Sequence, residues 1–238
     1  MIKLVIFDFD DTLTDDNYLD YQAFLVPCTK LGLSSPTLQT ITKYRKKGFI
    51  AKKIISKFLK PNNRKLYLNK FLEYRKKFLN SKNSLQYLKI KKNTKELLEF
   101  LKNQKIKCVI CTARKKKKNI AYFLKLNKLN KNFSKIYQME DLGIELDNLK
   151  KSNRIAIKNK LIKKIIKNEK LTTREIIFVG NSIEDLKIAN NTKITFIYFQ
   201  NSYLEKFSNS RIMKAKTMND LRKKLNIYVK SNNSNQMI

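Results

Sequence analysis

The chain has 238 residues, of which 42% are hydrophobic, and it carries a formal net charge of +34 at neutral pH. This length suits one large domain or a domain with a smaller insert, and the apolar fraction is enough for a packed core. No apolar run reaches the roughly 18 residues that a membrane span requires, so no membrane partner is expected. The N-terminal run MIKLVIFDF lacks a basic start and a cleavage site, so the sequence predicts a cytoplasmic protein without a signal peptide.

The charge itself is ambiguous, because it comes from 45 lysines and only 8 arginines. Nucleic-acid sites favour arginine, whose planar group makes paired contacts, and the lysines here are spread along the chain. A bias toward AT-rich codons therefore explains the charge better than a nucleic-acid surface, which stays an alternative that is not favoured. The cysteines in CVIC (108–111) read as part of a buried strand, since no histidine or second cysteine pair completes a zinc site.

The predicted elements follow a regular order along the chain. KLVIFDF (3–9) is a continuous apolar run, which is typical of a buried parallel strand. From residue 17 to residue 91, apolar residues recur every three or four positions, which predicts an all-helical block. Beyond it, strands and helices alternate: strands are predicted at 107–113, 133–138, 175–180 and 193–199, and helices at 93–104, 114–127, 154–170, 183–191 and 217–225.

Alternating strands and helices predict an α/β fold, with a Rossmann-like parallel sheet flanked by helices. The all-helical block is then an insertion placed just after the first strand. We assign the α/β domain to residues 1–16 and 92–230 and the inserted helical domain to 17–91. The polar segment 231–238 is predicted to be a disordered tail.

Polar residues follow several of the predicted strands, at the edge of the sheet where parallel sheets bind ligands. Asp8 and Asp10 lie at the end of the first strand, Thr112 lies at the end of the strand at 107–113, and Asn181 and Asp185 come after the strand at 175–180. Two carboxylates so close together repel each other unless they share a proton or bind a cation. Because the chain has no histidine, a hard cation with oxygen ligands is the better expectation.

These residues resemble a known family. FDFDDTLTD, ICTAR, a lysine and FVGNSIEDLKIA are similar to the four motifs of haloacid dehalogenase-like hydrolases, in order and in strand context, across residues 2 to 200. The resemblance implies a phosphatase-type member, and the helical insertion at 17–91 resembles the C1-type cap of phosphoglycolate phosphatase-like enzymes. Such a cap excludes water and selects a small substrate.

The resemblance also implies roles for the carboxylates. Asp8 is expected to attack phosphorus and form an aspartyl phosphate, and Asp10 to act as general acid and then as general base. Mg²⁺ is the expected cofactor, held by Asp8, the backbone carbonyl of Asp10, Asp185 and Asn181. Asn181 departs from the aspartate usual in the family, so a neutral oxygen replaces a charged one and the affinity for Mg²⁺ is expected to fall.

Two further residues are expected to bind the phosphoryl group. Thr112 would donate a hydrogen bond to one of its oxygens, and a lysine would balance its charge. Lys158 is the preferred lysine and Lys160 the second choice, and Lys150 or Lys151 stays open.

The expected function is therefore a Mg²⁺-dependent phosphomonoester hydrolase that acts on a small phosphorylated metabolite. Asp10 supports this, because relatives that dehalogenate lack this second aspartate. Three alternatives stay open: a phosphatase of nucleic-acid ends, a phosphomutase, and a non-catalytic binding protein on the same fold. The sequence does not indicate the oligomeric state.

Overall fold

The computed structural model of the chain describes residues 1–61, 64–114, 117–142, 153–200 and 212–230. The chain divides into two units, the first formed by residues 1–14 and by the described residues from 90 onward, the second by residues 15–89. The predicted tail at 231–238 and the candidate residues Lys150 and Lys151 lie outside the described residues.

The first unit is built on a six-stranded sheet in which every pair of neighbouring strands is parallel. The strands of the chain are β1 (Leu4–Phe7), β2 (Thr14–Asp15), β3 (Lys89–Ile90), β4 (Lys107–Cys111), β5 (Lys135–Tyr137), β6 (Ile176–Gly180), β7 (Thr195–Phe199) and β8 (Met213–Ala215). The order across the large sheet is β5-β4-β1-β6-β7-β8, and the short β2 and β3 form a separate pair.

Strand β1 lies in the middle of the sheet, which explains its composition. Val5 pairs with Cys108 of β4 on one side and with Ile177 of β6 on the other. All four residues of β1 are fully buried, because helices cover both faces of such a sheet and leave no polar position in its central strand. The predicted parallel α/β sheet is therefore confirmed. Strand β8, three residues long, and the two-residue strands β2 and β3 were not predicted from the sequence.

The helices of the chain are α1 (Asn17–Lys30), α2 (Leu38–Lys46), α3 (Ala51–Ile55), α4 (Arg64–Leu79), α5 (Thr94–Asn103), α6 (Lys117–Leu126), α7 (Asn153–Glu169), α8 (Ile183–Thr192) and α9 (Met218–Lys230). The last five belong to the first unit. Helix α5 shows how they pack: Leu97, Leu98 and Leu101 are buried at helical spacing, and the charged residues of the helix are exposed. Within the described part of the chain, no helix is long and apolar enough to cross a membrane.

The second unit contains α1 to α4 and a 3₁₀ helix at Lys82–Tyr87. Its helices enclose a small core of its own, formed by Phe24, Cys28, Ile41, Ile54, Ile55, Leu59 and Phe71. The amphipathic pattern read from 17 to 91 thus corresponds to helices that bury their apolar faces against one another. The end of that block differs from the prediction, because Lys89–Ile90 forms the short strand β3.

An ionic cluster lies beside this core. Asp20 of α1 accepts hydrogen bonds from Arg45 Nε and Arg45 Nη2, both at 2.8 Å, and from Arg75 Nη2 at 2.7 Å. Both guanidinium groups also lie over the ring of Phe24. Burial acts to raise the pKa of Asp20, but hydrogen bonds and charge from Arg45 and Arg75 outweigh it and hold that pKa below its usual value.

Candidate active site

The carboxyl end of β1 carries the first two candidate residues. Asp8 continues the strand, and its backbone N–H donates to the carbonyl of Val179 in β6 at 2.9 Å. The chain then turns sharply, with Asp11 in the left-handed region at φ 56°. Aspartate tolerates this conformation better than most residues. The turn leaves Asp8 buried and Asp10 with 39% of its side chain exposed.

The end of β6 carries the next group. Ser182 begins helix α8 with a reciprocal capping box: its hydroxyl accepts from the N–H of Asp185, and Asp185 Oδ2 accepts from the N–H and hydroxyl of Ser182. Gly180 allows this arrangement, because a methyl group at that position would lie 2.7 Å from Asp185 Oδ2. The cap therefore fixes the carboxylate of Asp185 and leaves Oδ1 for another partner.

That partner is Lys158 of helix α7. Its Nζ donates to Asp8 Oδ1 at 2.7 Å and also to Asp185 Oδ1, and it lies over the ring of Phe178. Of the two lysine candidates that the structure describes, Lys158 thus contacts both carboxylates, whereas the side chain of Lys160 is exposed.

The electrostatics of this group follow from burial and charge. Burial raises the pKa of Asp8 to about 7; Lys158 opposes this shift, while the carboxylates of Asp185 and Asp10 add to it. Burial acts to lower the pKa of Lys158, but Asp185 and Asp8 outweigh burial and raise that pKa above its usual value. Lys158 therefore stays charged, and a further cation near Asp8 would favour its ionised form.

The end of β4 positions Thr112. It is fully buried, and its N–H donates to the carbonyl of Tyr137 in β5 at 3.0 Å. Its hydroxyl oxygen accepts from the N–H of Arg114 at 3.1 Å. That contact orients the hydroxyl oxygen and leaves its proton for another acceptor. Thr112 lies at the same edge of the sheet as Asp8, but it does not line the cavity described next.

A cavity of about 190 Å³ opens at this edge, within the first unit. Five candidate residues line it: Asp8, Asp10, Lys158, Asn181 and Asp185. The fold thus brings residues that are far apart in the chain to one place. Among the described residues, its lining consists of Asp8, Asp10, Asp11, Ala113, Lys158, Asn181, Ser182, Glu184, Asp185 and Ile188.

The donors around this cavity fit Mg²⁺ by their chemistry. Asp8 and Asp185 both direct Oδ1 at one cation, the ammonium group of Lys158, and Asn181 lines the same cavity. Carboxylate, amide and backbone carbonyl oxygens are the hard ligands that Mg²⁺ prefers. No group of three or more acidic, histidine or cysteine side chains suited to a metal is present in the described part of the chain. A metal here would therefore depend on neutral oxygens as well as on the two carboxylates.

Arg114 is a further site residue, which the sequence placed at the start of a helix, with a phosphate-facing edge as the alternative; in the structure it precedes helix α6. Its Nε donates to Asp10 Oδ1 at 2.5 Å, across 104 positions of the chain. Its position in the sequence could have indicated a role at the site. Arg114 lies in ICTAR, two residues after Thr112, and the chain has only eight arginines.

Comparison with known families gives one match that spans most of the chain. Residues 5–199 match the sequence model of the family described as haloacid dehalogenase-like hydrolase. The match includes every candidate residue named for the cavity. No curated protein matches the chain significantly.

Solved structures with the same fold include three that cover nearly the whole chain. A haloacid dehalogenase-like family hydrolase from Streptococcus pneumoniae is 18% identical, with a TM-score of 0.67, and the alignment covers 94% of this chain and 98% of that one. A predicted phosphatase from Clostridium acetobutylicum is 17% identical, with a TM-score of 0.66 and coverage of 95% and 99%. A predicted phosphoglycolate phosphatase from Haemophilus somnus is 19% identical, with a TM-score of 0.62 and coverage of 94% and 98%. At these identities the likeness shows a shared fold.

Proposed function

Because the chain belongs to the haloacid dehalogenase-like hydrolase family, we propose that it is a Mg²⁺-dependent phosphatase of small phosphorylated metabolites. The observation that carries the proposal is the arrangement of Asp8, Lys158 and Asp185 around one cavity that Asp10 also lines. A buried nucleophile, a fixed cation and a second carboxylate are the groups that phosphoryl transfer to an aspartate requires.

In the first step, a carboxylate oxygen of Asp8 attacks the phosphorus atom of the ester. The bond between phosphorus and the ester oxygen breaks, and the protonated carboxyl of Asp10 gives its proton to the departing alkoxide. The alcohol leaves, and the phosphoryl group stays on Asp8. The charge of Lys158 lies against Asp8 Oδ1, where it offsets negative charge on the nucleophile and the transferred group.

In the second step, the carboxylate of Asp10 takes a proton from a water molecule as the water oxygen attacks phosphorus. The bond between phosphorus and Asp8 breaks, inorganic phosphate leaves, and Asp10 is protonated again for the next cycle. The Thr112 hydroxyl, whose oxygen accepts from Arg114 N–H, donates its proton to a phosphoryl oxygen.

Asp8, Asp185, Asn181 and the backbone carbonyl of Asp10 would hold Mg²⁺, which when bound supplies positive charge that stabilises the pentacovalent phosphorus. Asn181 gives this set one neutral oxygen in place of a carboxylate. The second unit, inserted between residues 14 and 90, serves as the cap that selects a small substrate.

Hydrolysis of p-nitrophenyl phosphate by the purified full chain tests this function. We expect turnover that requires Mg²⁺, stops with EDTA and is lost in Asp8→Asn by a factor of at least about 1,000. Asp15→Asn is the matched control, because Asp15 caps the backbone N–H of Asn17 and asparagine keeps an oxygen for that role.

Turnover by Asp8→Asn at the wild-type rate would remove Asp8 as nucleophile. If the wild-type chain does not hydrolyse this ester, a panel of sugar phosphates, phosphoglycolate and nucleotides decides. Absence of turnover on the whole panel with Mg²⁺ would contradict the proposal and favour a mutase or a binding protein.

One observation favours a second candidate, a phosphatase of nucleic-acid ends. Residues 21–72 of the second unit contain ten lysines and two arginines but no aspartate or glutamate. A surface of this kind attracts polyphosphates. This candidate predicts that a 3′-phosphorylated oligonucleotide is hydrolysed faster than p-nitrophenyl phosphate, with a KM that rises steeply with salt. Equal salt dependence for the two substrates would argue against it.

A further inference from the structure

The contact between Arg114 and Asp10 stands out at the edge of the cavity. Arg114 Nε lies 2.5 Å from Asp10 Oδ1, and the arginine side chain is 17% exposed, whereas that of Asp10 is 39% exposed. An exposed carboxyl group on a tight turn has several rotamers open to it. The contact with a less mobile guanidinium selects one of them.

Arg114 can do this because it is itself held in place. Its guanidinium lies over the ring of Phe9, 5.5 Å from the centroid, and Phe9 is fully buried against Phe123. Its backbone N–H donates to Thr112 Oγ1. The guanidinium is therefore fixed by a buried aromatic ring and by the end of β4, and both exist before any substrate binds.

We propose that Arg114 is the positioning residue of the acid–base carboxyl group of Asp10. With Oδ1 engaged by Nε–H, Oδ2 is the oxygen left to give and take a proton in the two proposed steps. A fixed orientation of this kind matters because proton transfer needs hydrogen-bond reach and alignment. The inference rests on the proposed phosphatase function and deepens it.

The test compares two esters whose leaving groups differ in basicity. Only the more basic, poorer leaving group needs a proton from Asp10 as it departs. Phenyl phosphate and p-nitrophenyl phosphate are nearly the same size, but nitrophenolate leaves readily without protonation. For Arg114→Ala we expect kcat/KM to fall by about 100-fold on phenyl phosphate. On p-nitrophenyl phosphate the decrease should be less than about threefold, because general acid catalysis contributes little there.

Two further variants make the comparison specific. Arg222→Ala removes a guanidinium that lies over the ring of Phe100 and does not line the cavity, and it should leave both esters unaffected. Adding Arg114→Ala to Asp10→Asn should change kcat/KM on phenyl phosphate very little beyond Asp10→Asn alone, since the two residues act as one unit.

The outcomes separate the inference from the function on which it rests. A similar loss on both esters, with weaker inhibition by inorganic phosphate, would show that Arg114 binds the phosphoryl group and would overturn the inference. Unchanged kinetics on both esters would overturn it too. If Asp10→Asn shows the dependence on leaving group and Arg114→Ala does not, the phosphatase mechanism stands and only the positioning role fails. Retained turnover in Asp8→Asn would instead refute the function itself.

Discussion

Replacing Asp20 with asparagine should destabilise the second unit strongly, although the side chain hardly changes in size. Asp20 accepts three hydrogen bonds from Arg45 and Arg75, all at 2.7 to 2.8 Å. The three side chains are about one-fifth exposed. The substitution leaves two guanidinium groups over the ring of Phe24 without their counter-charge, and arginine cannot lose its proton to relieve this. Removing one partner of a buried ion pair costs about 3–5 kcal/mol.

Urea unfolding followed by circular dichroism measures this loss, since the chain has no tryptophan and intrinsic fluorescence is weak. Hydrogen exchange in helix α4 assigns the change to the second unit. Glu99→Gln is the control: it removes a charge from an exposed pair with Lys95 and should change the unfolding free energy by less than about 1 kcal/mol.

The pH dependence supplies a second check on the same variant. The folded-state pKa of Asp20 lies below its usual value, so its contribution to stability is complete above about pH 4 and is lost as pH falls through the folded pKa. The difference between wild type and Asp20→Asn should therefore be constant near neutral pH and shrink on acidification. A loss of less than about 1 kcal/mol at neutral pH, similar to that of an exposed pair, would refute the reasoning.

Three further substitutions probe the first unit. Gly180→Ala places a methyl group 2.7 Å from Asp185 Oδ2 and should lower kcat by about 100-fold by displacing that carboxylate; a rate within threefold of wild type would mean that Asp185 adjusts freely. Asn181→Asp adds a charged oxygen and should lower the Mg²⁺ concentration needed for half-maximal activity; an unchanged metal titration would show that residue 181 is not a ligand. Gln138 is fully buried, and both polar atoms of its side chain lack a hydrogen-bond partner among the described residues, so Gln138→Met should raise the unfolding free energy by about 1 kcal/mol. Destabilisation measured in urea would contradict that account.

The parallel sheet could be predicted from short apolar runs in the sequence, because such runs can be buried completely in only one kind of sheet. LVIF, CVIC and IIFVG are buried runs, and only a parallel sheet covered on both faces buries every residue of such runs. The three-residue strand β8 (Met213–Ala215) was not predicted, because its sequence MKA is too short to show an alternating pattern. It is a strand because it pairs with β7.

Only some of the residues that line the cavity could be predicted to lie together, because the others are far apart along the chain. Asp8 and Asp10 are neighbours at the end of one strand, so their closeness could be predicted from the sequence alone. Lys158 was one of 45 lysines, and its contacts with Asp8 and Asp185 span 150 and 27 positions. Periodicity carries no information about contacts at such separations, since they form only when strands and helices pack.

The sequence by itself thus determined the parallel α/β sheet and the placement of two carboxylates at the end of β1. Tertiary structure alone decided which cations meet those carboxylates. Arg114 reaches Asp10 across 104 positions, and Arg75 reaches Asp20 across 55. Hydrophobic burial sets local elements through spacing that is visible in the sequence. An ion pair instead depends on where two distant backbones come to lie, which follows from packing.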